Sequence, residues 1–181
     1  MKFDETSMNV FQSGQMVNQA EVNQFLDIAQ IRKKPVAIFD LRQVQIWTES
    51  EPMGLVPGSV KIWAPIPDRP FESETEMISF FRSLAQTAIH FYDNDFMLLF
   101  HCIQGISRST TLNVAFRMMK FGYSRDEAYA GIETNRPQAS PNVVFWNLLL
   151  EIERMELGKV VSKRPVPRKF GFRSDFEWSL P

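Results

Sequence analysis

The sequence predicts a single α/β domain in which a mostly parallel central sheet is flanked by helices. Its 181 residues suit one domain, since domains commonly run to about 100–200 residues. Apolar residues make up 44% of the chain, enough for a sizeable core. Short apolar runs typical of buried strands alternate with longer stretches whose apolar residues recur at helical spacing. Such alternation of strand and helix is the pattern of α/β proteins.

The chain begins with a segment that predicts little regular structure. Residues 1–17 are polar and mixed, and we expect a flexible or loosely docked leader there. A helical stripe over residues 18–30 follows, with a capping pattern at its start. The β-branched run 36–39 is typical of a buried strand and ends at Asp40. Residues 43–51 favour neither helix nor strand.

The middle of the chain predicts a βαβ unit. Residues 60–63 read as a strand, and the three prolines of residues 64–70 keep the next segment irregular. A capping box and a long apolar stripe predict a helix over 73–91, and the apolar run 96–100 predicts another strand. Two such strands should be parallel, so their carboxyl ends should share one edge of the sheet, where ligands bind.

Three more helices are expected in the C-terminal half. One follows residue 107 and ends near Gly122, and another starts from a capping box at Ser124. The third covers residues 142–157, after a loop that ends in Ser140 as N-cap and a first-turn proline. Residues 159–181 are basic and aromatic, and we expect a solvated, partly ordered extension.

The chemistry is concentrated between the strand 96–100 and the helix after residue 107, where the chain holds its only cysteine, Cys102. A tight loop between a strand and a helix N-terminus directs its backbone N–H groups at an anion. Those dipoles, together with the guanidinium of Arg108, would stabilise a thiolate, which is a nucleophile at neutral pH. The planar fork of Arg108 suits two oxygens of a phosphate. Gly105 lets the backbone turn, and Ser109 is placed to donate a hydrogen bond to the sulfur.

These residues resemble the signature of the cysteine-dependent protein tyrosine phosphatase superfamily: a His-Cys pair, five residues, then Arg-Ser. The Gly-Ile-Ser-Arg-Ser-Thr ending and the later Ser-Pro-Asn most resemble its compact dual-specificity-like branch, which includes small bacterial tyrosine-phosphatase-like proteins. The resemblance implies a phosphatase-like fold over residues 18–158 and hydrolysis of phosphomonoesters through a cysteinyl-phosphate intermediate. The implied phosphate loop is Ile103, Gln104, Gly105, Ile106, Ser107 and Arg108, and the implied catalytic residues are Cys102, Arg108, Asp68, Ser109 and His101.

Asp68 is the expected general acid, because it follows the strand 60–63 and should reach the same sheet edge as Cys102. Its position ahead of the cysteine is similar to that of the acid in the dual-specificity branch. A solvated loop aspartate is the alternative, and Asp40 is the second candidate for the acid, although a strand-end aspartate more often bonds nearby backbone. The resemblance implies that His101 orients the loop without acting as the base. Arg136 and Gln138 are candidates for the pocket rim.

Composition excludes several other classes. A formal charge of −1 gives no global reason to expect nucleic acid or a membrane surface as partner, and no apolar stretch approaches a membrane span. We therefore expect a cytoplasmic protein whose partner is a phosphorylated protein or a small phosphomonoester. With two histidines, of which His90 reads as structural, and one cysteine, neither a metal site nor a cofactor is expected. The oligomeric state is not indicated.

Two alternatives remain from different functional classes. A phosphoprotein-binding module would keep the pocket without turnover, and a rhodanese-like sulfurtransferase also uses a cysteine in an anion-binding loop, although usually without Arg-Ser at this spacing. The uncharged Ile103, Gln104 and Ile106 argue against the lysine-rich loops of phosphoinositide phosphatases. The choice between phosphotyrosine and phosphoserine depends on pocket walls that the sequence does not define.

Overall fold

The fold is built on a single five-stranded sheet, as a computed structural model shows for residues 3–14, 19–43, 56–66 and 73–167. The strands are β1 (Phe3–Ser7), β2 (Val10–Ser13), β3 (Val36–Asp40), β4 (Val60–Trp63) and β5 (Met97–His101). Their order across the sheet is β1-β2-β5-β3-β4. The β1–β2 pair is antiparallel, and the other three pairs are parallel. The expected single-domain α/β fold with a mostly parallel sheet is confirmed.

Helices cover both faces of this sheet. They are α1 (Gln19–Arg32), α2 (Glu74–Asp93), α3 (Arg108–Phe121), α4 (Arg125–Asn135) and α5 (Val143–Leu157). The larger core lies between the sheet and helices α2 to α5, and it takes Phe39 and Phe100 from the strands. The smaller core lies under α1 and takes the neighbouring residues Ile38 and Leu99, because side chains alternate between the faces of a strand. Within the described ranges, no helix is both long and apolar enough to cross a membrane.

The expectation of a flexible leader is wrong for residues 3–14. They form the hairpin β1–β2, and β2 lies inside the sheet, paired with β5 from Val10 opposite Leu98 to Ser13 opposite His101. The segment reads as a leader because its strands carry many polar residues, yet Gln12 is fully buried. Residues 15–18, which include the expected cap at Asn18, lie outside the described residues.

The other described elements follow their sequence patterns, with one correction. Ser73 caps α2 by accepting a hydrogen bond from the Glu76 amide, and Ser124 and Glu127 form the expected capping box of α4. The N-cap of α5 is Asn142, whose side-chain oxygen accepts from the Phe145 amide at 2.9 Å, and not Ser140. The Ser140 hydroxyl donates instead to the carbonyl of Pro167 at 2.7 Å.

The parallel strands bring their carboxyl ends to one edge of the sheet, as the sequence predicts. Asp40 lies opposite His101 on one side and opposite Trp63 on the other, so β3, β4 and β5 end together. Cys102 follows directly after β5 at this edge. Asp68 and the uninterpreted residues 44–51 lie outside the described residues.

Part of the C-terminal extension is bonded to the helices. Glu153, at the buried side of α5, accepts from the amides of Val161 and Ser162 at 2.9 and 3.1 Å. Asp126, in the first turn of α4, accepts from the amides of Lys163 and Arg164 at 2.7 and 2.8 Å. The aromatic end of the extension, residues 168–181, lies outside the described residues.

The buried hairpin predicts a large cost for removing one of its anchors. Phe11 is 1% exposed and packs edge-on against Phe3 and Phe25, with ring centroids 6.3 and 5.4 Å away. We expect Phe11→Ala to lower the free energy of unfolding by about 3–5 kcal/mol. Met8→Ala in the turn, where Met8 is 77% exposed, should change it by less than about 0.5 kcal/mol. Urea unfolding measures both, and equal midpoints for the two variants would contradict the docked hairpin.

Candidate active site

Cys102 occupies the loop between β5 and α3 and is almost fully buried, at 3% exposure. Its Sγ accepts a hydrogen bond from the Gly105 amide at 3.2 Å. The Ser109 Oγ lies 3.4 Å from the same sulfur, within hydrogen-bonding distance for this atom. Each of these groups can donate a hydrogen bond to the sulfur. The predicted grouping of Cys102, Gly105 and Ser109 is therefore present.

The rest of the loop is shaped by one glycine. Gly105 has a φ of 67°, in the left-handed region that glycine adopts at no steric cost. A Cβ there would collide with the backbone of Ser13 and Gly14 and with the Arg136 guanidinium. Ile103 and Gln104, by contrast, are exposed at the mouth of the loop. Because both side chains are uncharged, they place no positive charge at the mouth of the loop.

Arg108, the first residue of α3, reaches across the sheet edge. Its Nη1 donates to the carbonyl of Leu41 at 3.2 Å and to that of Ile66 at 3.0 Å. These two carbonyls lie just after β3 and β4, so the arginine connects the loop to both neighbouring strand ends. The side chain is 4% exposed, so Arg108 is almost as fully buried as Cys102.

The loop is supported from behind by residues that sequence reasoning did not assign to it. Gln12 Nε2 and Arg136 Nε donate to the Gly105 carbonyl at 3.1 and 2.8 Å. Arg136 is 2% exposed and also pairs with Asp4 of β1, so its predicted place at the pocket rim is wrong. The sequence does make Arg136 a candidate, because this residue lies in the segment before α5. No comparable signal marked Gln12, because a lone polar residue in a polar segment predicts a surface position.

Asp40 is unsuited to the role of general acid. Its side chain is fully buried, and both oxygens accept from Arg42: Oδ1 from Nε at 2.8 Å and Oδ2 from Nη2 at 2.6 Å. Oδ1 also accepts from the Arg42 amide at 3.2 Å, which is the backbone role that the sequence favours for a strand-end aspartate. Because side chains alternate along β3 and β5, Asp40 and His101 share the face opposite Cys102.

His101 is a buried, neutral side chain. Burial, opposed by the nearby charge of Asp40 and reinforced by the charges of Arg42 and Lys61, lowers the pKa of His101 from 6.5 to about 4. Its Nε2 lies 3.6 Å from Asp40 Oδ1. At neutral pH the ring carries no charge, so it has no proton to give beyond its single N–H. Its role in orienting the loop stays a prediction.

The remaining candidates are distributed as follows. Asp68, the expected general acid, lies two residues beyond Ile66 and outside the described residues. His90 lies in α2, where it is exposed, with its ring 5.7 Å from that of Phe91, and its structural role stays a prediction. Among the described side chains, no three His, Cys, Asp or Glu residues are grouped in a way that could hold a metal ion.

The neutral state of His101 predicts a pH dependence of stability. Between pH 6.5 and 4 the unfolded chain binds a proton at this histidine and the folded chain does not, so stability falls as the pH falls. We expect a loss of about 2 kcal/mol between pH 7.5 and pH 5, measured by urea unfolding. The carboxyl groups of Glu5 and Asp126, whose pKa values are lowered, titrate below this range.

His101→Gln should remove most of this slope, because glutamine does not titrate. His90→Gln is the matched control, since His90 is exposed, and it should leave the slope in place. An unchanged slope in His101→Gln would show that another group causes the dependence.

Comparison with known proteins gives partial matches in sequence. Dual specificity protein phosphatase 8 of Homo sapiens is 46% identical over 57 residues, which are 32% of this chain and 9% of that protein. Dual specificity protein phosphatase 14 of Homo sapiens is 42% identical over 65 residues, which are 36% of this chain and 33% of that protein. The chain therefore matches less than two thirds of the length of either relative.

The fold matches over nearly the whole chain. The crystal structure of human DUSP28 aligns with a TM-score of 0.68 at 19% identity, covering 88% of this chain and 97% of that one. The family described as "Dual specificity phosphatase, catalytic domain" matches residues 56–155, more than half of the 181 residues. The matched segment includes the loop that holds Cys102 and the helices α3 and α4. The chain belongs to the family of dual specificity phosphatase catalytic domains.

Proposed function

We propose that this protein hydrolyses phosphomonoesters through a cysteinyl-phosphate intermediate, and that it acts as a protein tyrosine or dual-specificity phosphatase. The arrangement around Cys102 carries this proposal. The sulfur accepts a hydrogen bond from the Gly105 amide and lies beside the Ser109 hydroxyl. The buried side chain of Arg108 belongs to the same loop. A thiolate, amide donors and a guanidinium together form a site for a phosphate dianion and for attack on it.

In the first step, Cys102 Sγ attacks phosphorus in line with the leaving oxygen. The S–P bond forms while the P–O bond to the leaving group breaks. Arg108 and the loop N–H groups stabilise the negative charge on the three equatorial oxygens. Asp68 transfers its proton to the leaving oxygen, which departs as an alcohol or a phenol.

In the second step, water attacks the phosphorus of the cysteinyl-phosphate. Asp68, now a carboxylate, accepts a proton from that water, and the S–P bond breaks to release inorganic phosphate. The Ser109 hydroxyl, 3.4 Å from Sγ, stabilises the departing thiolate by donating a hydrogen bond to it.

The assignment of Asp68 is supported by the contact between Arg108 and Ile66. Arg108 Nη1 holds the Ile66 carbonyl at 3.0 Å, and Ile66 is fully buried. Asp68 follows this anchored residue by only two positions in the sequence. The buried Asp40–Arg42 ion pair argues against Asp40, the other candidate that the sequence offered.

The substrate class follows from the composition of the loop. Ile103 is 51% exposed and Gln104 is also exposed, and both belong to the proposed phosphate loop. Neither side chain carries a positive charge that would attract additional phosphates on the same substrate, which supports a single phosphomonoester such as a phosphorylated protein side chain. We propose a cytoplasmic phosphoprotein as the physiological substrate.

The nucleophile is tested by Cys102→Ser, because a serine hydroxyl stays protonated where the thiol ionises. We expect hydrolysis of an aryl phosphate to fall to background, while the unmodified protein keeps its full activity in EDTA. Persistence of hydrolysis in Cys102→Ser, or its loss in EDTA, would contradict the mechanism. A sulfurtransferase would instead show thiosulfate:cyanide activity, which the same preparations can be assayed for.

The general acid is tested by Asp68→Asn, which keeps the shape of the side chain and removes its proton. We expect kcat to fall by about 100- to 10,000-fold, with the Kd for a phosphotyrosine peptide close to that of the unmodified chain. Asp40→Asn is unsuitable as a control because it breaks a buried ion pair, so Asp93→Asn at the exposed end of α2 serves instead. A chain that binds the peptide but never turns it over would be a binding module.

A further inference from the structure

Two carbonyl groups of the phosphate loop, those of Gly105 and Ile106, are bonded to the interior. The Gly105 carbonyl accepts from Gln12 and Arg136, as described above. The Ile106 carbonyl accepts from the Ser140 amide at 2.8 Å and from the Thr110 hydroxyl at 2.6 Å. Each carbonyl therefore has two donors that fix its direction.

The direction of a carbonyl fixes that of the next amide. In a planar trans peptide the C=O of one residue and the N–H of the next point in opposite directions. The interior bonds to Gly105 and Ile106 thus direct the N–H groups of Ile106 and Ser107 to the other side of the loop. The Gly105 amide already points to the sulfur of Cys102 on that side.

Gln12 connects both of these carbonyls to the N-terminal hairpin. Its Nε2 donates to the Gly105 carbonyl and also to Thr110 Oγ1 at 2.7 Å, and Thr110 in turn donates to Ile106. Its Oε1 accepts from Asn113 Nδ2 at 3.1 Å. Gln12 is fully buried, and a buried amide is destabilising unless its hydrogen bonds are made. All three contacts of this amide lie on α3 or on the phosphate loop.

We infer that Gln12 is a positioning residue of the phosphate loop, whose amide sets the direction of the Ile106 and Ser107 N–H groups and thereby the affinity of the loop for a phosphate dianion. The inference rests on the proposed function, because it concerns the same loop, but it does not require turnover. Gln12 does not touch the reacting atoms and acts through Gly105 and Thr110.

The test is a titration of the full-length, ¹⁵N-labelled protein with inorganic phosphate, followed through the amide signals of Ile106 and Ser107. Gln12→Met keeps the length of the side chain and removes both donors, and Thr110→Val keeps the shape and removes the relaying hydroxyl. Each should weaken phosphate binding about tenfold, the effect of misdirecting one hydrogen bond to a charged ligand. The double variant should lose less than the product of the two, because both act on one loop.

Two control variants separate positioning from a general loss of stability. Gln86→Met makes the same change at an exposed site on α2 and should leave the phosphate Kd unchanged. Ile38→Val removes a methyl group from the small core under α1, away from the loop. It should lower the urea midpoint but not the affinity for phosphate. A wild-type phosphate Kd in Gln12→Met would overturn the inference.

If Gln12→Met does not fold, Thr110→Val decides, and a wild-type Kd in that variant would likewise overturn the inference. A parent protein that binds phosphate without hydrolysing an aryl phosphate would refute the proposed function. The phosphate Kd values of the variants would still test the inference about Gln12. A parent protein that does not bind phosphate would overturn the inference even if hydrolysis were observed.

Discussion

A loop that binds an anion through its backbone N–H groups must turn the opposite carbonyl groups into the protein, where each needs a donor. This constraint explains much of the architecture around Cys102. Gln12 comes from β2, Arg136 from the end of α4 and Ser140 from the approach to α5, and all three donate to the loop. Three distant parts of the chain therefore converge on two peptide groups. The loop is short in sequence, but its geometry depends on the whole fold.

The two faces of the sheet separate the chemistry into two parts. Cys102 belongs to the larger core with α2 to α5, while Asp40 and the preceding His101 face the other side. On that side Asp40 and Arg42 form a buried ion pair, and burial keeps His101 neutral. Adjacent residues at one strand end thus differ in role because alternation places them in different surroundings. A buried ion pair under the loop fixes geometry without adding net charge to the site.

The sequence predicted the parts of the fold that rest on local pattern. The apolar runs of β3, β4 and β5, the Ser73 cap of α2 and the capping box of α4 lie where expected, and Cys102, Gly105 and Ser109 lie together as their spacing indicated. The hairpin was missed because burial of its polar residues depends on partners far along the chain. Gln12 is satisfied by Asn113, 101 residues away, and no periodicity reports such a contact. Arg136 was misplaced for the same reason.

The long sequence separation between Gln12 and Gly105, 93 residues, also determines when the site can form during folding. Strand β2 has its parallel partner only in β5, so the first strands of the chain to be synthesised must wait for the last strand of the sheet. Contacts between such distant segments are formed late and slowly, because a long loop must close first. The phosphate loop therefore acquires its final support only when the N-terminal hairpin docks. If folding stopped before the hairpin docked, Cys102 would lie in a loop that lacks the hydrogen bonds from Gln12.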